Sequence, residues 1–316
     1  MHWRDRIFNL DAWLEANFPP AGDLISVDDQ TIHAIAAGPE GETECGVPLI
    51  LLHGASGNAL DWQVSVLPEL ARRYRVVALD RPGFGHSSPP PRDDTSLAGQ
   101  VRILRAALHK MGHRRYILVG HSYSGALILR WALDFPEEVA GLVPISGATC
   151  DWGGGLGPGN HLKGAPVIGR AIAALARVLA TRSYLKGALA EIFAPQPVPP
   201  EYLATAGVEF VLRPGTFSLN AAMMRDLGGL VTAQTPDYSR IMCPVTAIHG
   251  TADIIVPIDL HADVLARTLP DAHIVSLDGI GHMPHHVASG DVIAAIDALT
   301  DRVNRKRQPE DAATGS

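Results

Sequence analysis

The chain has 316 residues, 47% of them hydrophobic, with 31 glycines and 24 prolines, the make-up of a folded protein large enough for one α/β domain plus an inserted piece. A formal net charge of −7, with no basic cluster in the folded part, argues against a nucleic-acid partner. Cys45, Cys150 and Cys243 are odd in number and lack paired spacing, the opening Met1–Arg6 carries charge rather than an apolar leader, and no run is long enough to span a membrane. These features together predict free thiols and a cytoplasmic protein.

Apolar residues at 7, 8, 10, 13, 14 and 18 recur at roughly helical spacing, so residues 5–18 predict a short helix docked on the body. Its polar face is not basic, which disfavours a membrane-surface role. Leu24–Val27 and Thr31–Ala37, joined by Asp28, Asp29 and Gln30, predict a hairpin. Val47–His53 reads as a buried strand, continued by Gly54, Ala55, Ser56, Gly57 and Asn58, with a helix to Leu70. Arg75–Asp80 is the next strand and opens into the glycine-rich Arg81–Ser87. That spacing fits neither G-x-G-x-x-G nor a P-loop, so the loop is read as packing and turn chemistry rather than a phosphate cradle. Ser96–Met111 predicts a helix, Tyr116–Val119 a strand followed by a second helix, and Val139–Ile145 a further strand.

Between 149 and 237 the alternation stops. A helix is predicted over Val167–Ala180, with Ile168, Ile172, Leu175 and Leu179 on its apolar face. The proline-rich Ala194–Pro200 breaks the pattern before helices resume to about Leu230. The alternation returns with the strand Pro244–His249, a helix over Pro257–Leu269, the strand Ala272–Leu277 and a last helix over Val292–Val303. Residues 305–316 are polar and predict a disordered tail. The prediction is therefore an α/β fold. Residues 1–148 and 238–304 form a mostly parallel sheet with helices on both faces, and 149–237 is a helical cap.

Chemistry concentrates at the predicted strand ends. Gly120, His121, Ser122, Tyr123, Ser124 and Gly125 sit between a strand and a helix, the setting of a nucleophile elbow. The run departs from G-x-S-x-G because Ser124 stands at the last position, with Gly125 after it. Serine is small enough for the strand–helix crossing, and a frame centred on Ser124 is the alternative. A serine hydroxyl needs a base to act as nucleophile, and that base needs an orienting group. His282 and Asp253, each at the end of a later strand, can supply them. His285 and His286 compete with His282, and with it make a metal site possible by count, but Pro284 interrupts the ligand spacing and H-E-x-x-H is absent. Asp271 and Asp278 compete with Asp253 but read as surface or turn residues. His53 reads as a structural hydrogen-bonder.

His53-Gly54, the run Asp80–Ser87, Gly120–Ser124, the run His249–Asp253 and Gly281-His282 resemble the α/β-hydrolase superfamily, in its capped branch of esterases, lactonases, carbon–carbon hydrolases and haloperoxidase-like enzymes. The likeness covers about residues 24–303. It implies Ser122, Asp253 and His282 as the catalytic triad and the backbone N–H groups of Ala55 and Tyr123 as the oxyanion hole. Gly54, Ser56, Leu175, Leu179 and Met283 are expected at the substrate pocket. Serine at the elbow, where dehalogenase relatives carry aspartate, argues for acyl transfer without cofactor or metal. The expected substrate is a carboxylic ester of a small to medium apolar acid. A lactone, a vinylogous diketone or perhydrolysis are alternatives, and a non-catalytic receptor is the rival from another class. A homo-oligomer stays open.

Overall fold

The computed structural model describes residues 9–39, 47–91, 94–151 and 182–314. Leu175 and Leu179, with the helix predicted around them, lie outside the described residues. In chain order the first elements are helix α1 (Leu10–Asn17), strands β1 (Asp23–Val27), β2 (Gln30–Ala37) and β3 (Leu49–Leu52), the one-turn helices α2 (Leu60–Gln63) and α3 (Leu67–Leu70), and strand β4 (Val76–Leu79). Helix α4 (Leu97–Lys110), strand β5 (Tyr116–His121), helix α5 (Tyr123–Asp134) and strand β6 (Val139–Ile145) follow. Helices α6 (Arg182–Phe193), α7 (Tyr202–Thr205) and α8 (Pro214–Gln234) precede strand β7 (Val245–Gly250), helix α9 (Ala262–Thr268), strand β8 (Ala272–Leu277) and helices α10 (Pro284–Val287) and α11 (Ser289–Thr314).

The strands form one eight-stranded sheet in the order β1-β2-β4-β3-β5-β6-β7-β8. β2 pairs antiparallel with both of its neighbours, and every other pair is parallel. Because successive side chains point to opposite faces, one strand feeds two cores. Ile50, Leu52, Val77, Leu79 and Leu118 pack with Leu97, Val101 and Leu104 of α4 and Leu127 of α5. Leu49, Leu51, Val76, Ala78, Ile117 and Val119 pack with Trp62, Leu67, Val292, Ile296 and Leu299. All residues of β3, β4, β5, β6 and β7 are buried, as strands covered on both faces require. Edge strand β1 instead leaves Asp23, Leu24 and Ser26 exposed.

Four local details differ from the pattern-based expectation. The helix predicted up to Leu70 is two short ones, with Pro68 in the first turn of α3. The helix expected from Pro257 begins at Ala262, because residues 257–261 close short turns instead, with Leu260 N donating to Pro257 O and His261 N to Ile258 O. Residues 305–314, expected as a disordered tail, continue α11. Helix α1 docks through Leu10, Trp13 and Leu14 onto Leu185, Phe210 and Leu212 of the segment between β6 and β7 as well as beside Leu60 of α2. No helix among the described residues is long and apolar enough to cross a membrane.

Candidate active site

Ser122 joins β5 to α5 with φ 50° and ψ −115°, a conformation an L residue adopts only when its surroundings impose it. Here the surroundings are backbone: Ser122 N–H donates to Ile145 O at 3.0 Å, and Ser122 O accepts from Gly125 N at 2.8 Å and Ala148 N at 3.0 Å. A side chain at Gly120 would run into the Ser124 carbonyl, and one at Gly125 would lie 2.6 Å from Gly147 Cα. The crowded positions of the crossing are therefore 120 and 125. Ser124, which breaks the G-x-S-x-G form, is buried, and its hydroxyl donates to His53 O at 2.6 Å. The two serines thus face different ways, Ser122 toward a base and Ser124 into the neighbouring loop.

That base is His282. Ser122 Oγ lies 3.0 Å from His282 Nε2, and His282 Nδ1 donates to Asp253 Oδ2 at 2.8 Å. The second Asp253 oxygen accepts from Ile255 N at 3.0 Å and Val256 N at 2.9 Å, which fixes the carboxylate plane. Burial works against the ionised form of Asp253, but the hydrogen bond and charge of His282 and the Val256 N–H outweigh it and hold its pKa below the usual carboxylate range. With Asp253 ionised and accepting at Nδ1, the imidazole presents a lone pair at Nε2, the form in which it can take a proton from Ser122. The competitors lie elsewhere. Asp278 accepts from Thr251 Oγ1 at 3.2 Å, and Asp271 pairs with Arg302.

The loop after β3 runs beside the elbow. A side chain at Gly54 would come within 3.2 Å of Ser122 Cβ. The Ala55 N–H makes no hydrogen bond among the described residues, and Tyr123 N–H, first in α5, has no intrahelical acceptor. His53 is buried. Its Nδ1 donates to Gly54 O at 2.8 Å, and its Nε2 accepts from Arg81 N at 3.0 Å. Burial, then the Arg81 charge, lower its pKa to about 4, so it is neutral. In the Arg81–Ser87 loop, His86 N donates to Asp80 Oδ2 at 2.8 Å, Gly83 N to Ser88 O, and Ser87 N to Phe84 O.

The segment between β6 and β7 is stitched to these loops. Ser56 N donates to Asn220 Oδ1 at 2.9 Å, and Asn220 Nδ2 donates back to Ser56 Oγ at 3.0 Å. Met283, beside His282 in sequence, packs on Leu189, Phe193 and Tyr202. Asp61 had no signal in the sequence beyond the unexplained pair His285-His286. It accepts from His285 Nε2 and His286 Nε2, both at 2.9 Å, and from the Tyr202 hydroxyl at 2.7 Å. Burial opposes its charge, but the two histidines hold its pKa well below the usual range, while burial lowers His285 to about 4. These three side chains are the one group among the described residues whose donor atoms are close enough together to hold a cation. A metal would take the Nε2 lone pairs and move the proton of His285 to Nδ1, which is buried with no hydrogen-bond partner among the described residues. The trio of His282, His285 and His286 is not assembled, since His282 faces Ser122. A cavity of about 530 Å³ opens beside Gly83, Pro89, Thr95 and Arg213, and none of Ser122, Asp253 and His282 lines it.

Residues 47–160 match a family model described as the alpha/beta hydrolase fold. The chain is 29% identical over 245 residues to a putative carbamate hydrolase, RutD, of Shigella flexneri, covering 74% of this chain and 84% of that one. It is 28% identical over 269 residues to the uncharacterised protein Rv2715 of Mycobacterium tuberculosis, covering 81% and 76%. Among solved structures, a putative lipase from Acinetobacter baumannii superposes with a TM-score of 0.72 over 97% of this chain and 98% of that one, at 20% identity, a likeness of fold.

Proposed function

We propose that this chain, which has the α/β-hydrolase fold, is a serine hydrolase that cleaves carboxylic esters through an acyl-enzyme. The carrying observation is the hydrogen-bonded line from Ser122 Oγ through His282 to Asp253, at 3.0 and 2.8 Å, with the serine held in a strained turn.

That geometry supports the following reading. Ser122 Oγ attacks the ester carbonyl while its proton passes to His282 Nε2, and Asp253 steadies the imidazolium. The carbonyl oxygen, now anionic, takes hydrogen bonds from the Ala55 and Tyr123 N–H groups. The carbon–oxygen bond to the alcohol breaks, the alcohol leaves with the proton held by His282, and water repeats the sequence to release the acid. Residues 149–237 act as the cap, and Gly54, Ser56 and Met283 border the substrate. Lactones and carbamates use the same acyl chemistry, and RutD is named for the latter.

A panel of nitrophenyl esters from acetyl to octanoyl, with a lactone and a carbamate, tests the reading. Each methylene the pocket buries is worth about 0.8 kcal/mol, so kcat/KM is expected to rise roughly tenfold from acetyl to butyryl and then stop. Ser122→Ala is expected to lose turnover on every substrate. Turnover that survives in Ser122→Ala would refute the assignment.

A further inference from the structure

Arg81 is fully buried, and among the described residues its guanidinium has no carboxylate partner. One terminal nitrogen donates to Gln100 Oε1 at 3.1 Å and lies 3.7 Å from Met223 Sδ. The other donates to Gly54 O at 3.1 Å, while Nε has no partner among the described residues. The guanidinium lies 4.4 Å from the ring centroid of Phe84 and 4.3 Å from that of Tyr123. Burial lowers its pKa to about 10, which leaves it charged at neutral pH. An unpaired buried cation is costly to keep, and nothing in the loop geometry alone demands one, since a neutral amide could make the same bond to Gly54 O.

Where the charge is aimed suggests its use. Gly54 O accepts from Arg81, from His53 Nδ1 at 2.8 Å and from Gly57 N at 3.4 Å. That carbonyl and the Ala55 N–H are the two ends of one peptide group. Donors that pull electron density toward the oxygen make the N–H at the other end a stronger donor. The same cation lies over the ring of Tyr123, whose backbone N–H is the second proposed donor. Of the groups bonded to Gly54 O only Arg81 is charged, His53 being neutral.

We propose that Arg81 is a positioning residue of the oxyanion hole, a buried cation that polarises the Gly54–Ala55 peptide and stabilises the oxyanion without touching it. The inference rests on the serine-hydrolase reading of Ser122. A trifluoromethyl ketone, 13C-labelled at its carbonyl, tests both. Ser122 Oγ adds to the carbonyl carbon, the serine proton moves to His282, and the hemiketal oxygen is left as the anion; its carbon shift against pH reports the pKa of that oxygen. In Arg81→Met this pKa is expected to rise by about one unit relative to wild type, because a nearby unit charge is gone. Arg81→Lys is expected to bring it back toward the wild-type value. With nitrophenyl acetate the methionine variant is expected to lose roughly tenfold in kcat with KM little changed, less than the loss of a whole donor. If Arg81→Met does not fold, Arg81→Gln makes the same comparison, keeping a donor for Gly54 O without the charge. An unchanged hemiketal pKa in the folded neutral variant overturns the role of Arg81 and leaves the hydrolase reading standing. No hemiketal in wild type overturns both.

Discussion

Ser122 and Ser124 lie two residues apart in the same turn, yet their hydroxyls have opposite fates. Ser122 Oγ faces His282, and Ser124 Oγ is sealed against His53 O. A buried hydroxyl lost from such a bond costs about 1 kcal/mol, more where the carbonyl is left without a partner. Ser124→Ala is therefore expected to lower Tm by a few degrees while keeping most ester turnover, measured by thermal melt and nitrophenyl ester assay. If Ser124→Ala abolishes turnover in a folded protein, the nucleophile frame is wrong. The serine at the last motif position read in sequence as a tolerated variant. In the structure it is a tie between the elbow and the loop after β3, and a one-dimensional pattern cannot show where a hydroxyl finds its acceptor.

At the scale of elements, Asp61 joins three of them. It sits on α2, receives His285 and His286 from α10, and receives Tyr202 from α7. His121 adds a link, lying between His282 and His285 with ring centroids at 5.0 and 4.5 Å and donating from Nε2 to His282 O at 2.9 Å. The loop that carries His282 is thus held from behind by a buried polar network. Asp61→Asn replaces a carboxylate that accepts three hydrogen bonds with one acceptor and one donor facing two N–H groups and a hydroxyl. It is expected to cost ~2–3 kcal/mol of stability, read as a shift in the denaturant midpoint at constant slope, with a fall in kcat. An unshifted midpoint would show that the network carries no load. The strands themselves were legible in sequence, because a strand covered on both faces is an unbroken apolar run. Asp61 was not, because its partners lie 141 to 225 residues away along the chain. The late start of α9 was not either, because residues 257–261 close short turns rather than follow helical periodicity.

For the whole molecule, the sheet order brings Gly54, Ser122, Asp253 and His282 to one edge from four separate strand ends, as parallel sheets do. That convergence was readable from the alternation of strands and helices; the stitching of α8 to Ser56 by Asn220 was not, since Asn220 carries no pattern of its own. The molecule also stores several neutral histidines. Burial is the leading cause that lowers His53, His261 and His285 to about 4 from an ordinary 6.5 and His121 well below it. Their folded pKa values lie below the unfolded one, so between about pH 6.5 and 4 the unfolded chain binds more protons. Their contribution is therefore fully present above pH 6.5 and is lost as pH falls toward 4. Tm is expected to drop steeply across that window and to be flat just above it. A Tm unchanged from pH 7 to pH 4.5 would contradict this.

The central claim is that Ser122 is acylated. Intact-protein mass spectrometry after rapid acid quench of the enzyme with nitrophenyl butyrate, followed by peptide mapping, tests it most directly. The predicted result is a single added butyryl group on the peptide that contains Ser122, absent from Ser122→Ala and prolonged in lifetime in His282→Ala when that variant is acylated at high substrate. A butyryl group found on another residue, or turnover with no acyl adduct at any quench time in either protein, would contradict it.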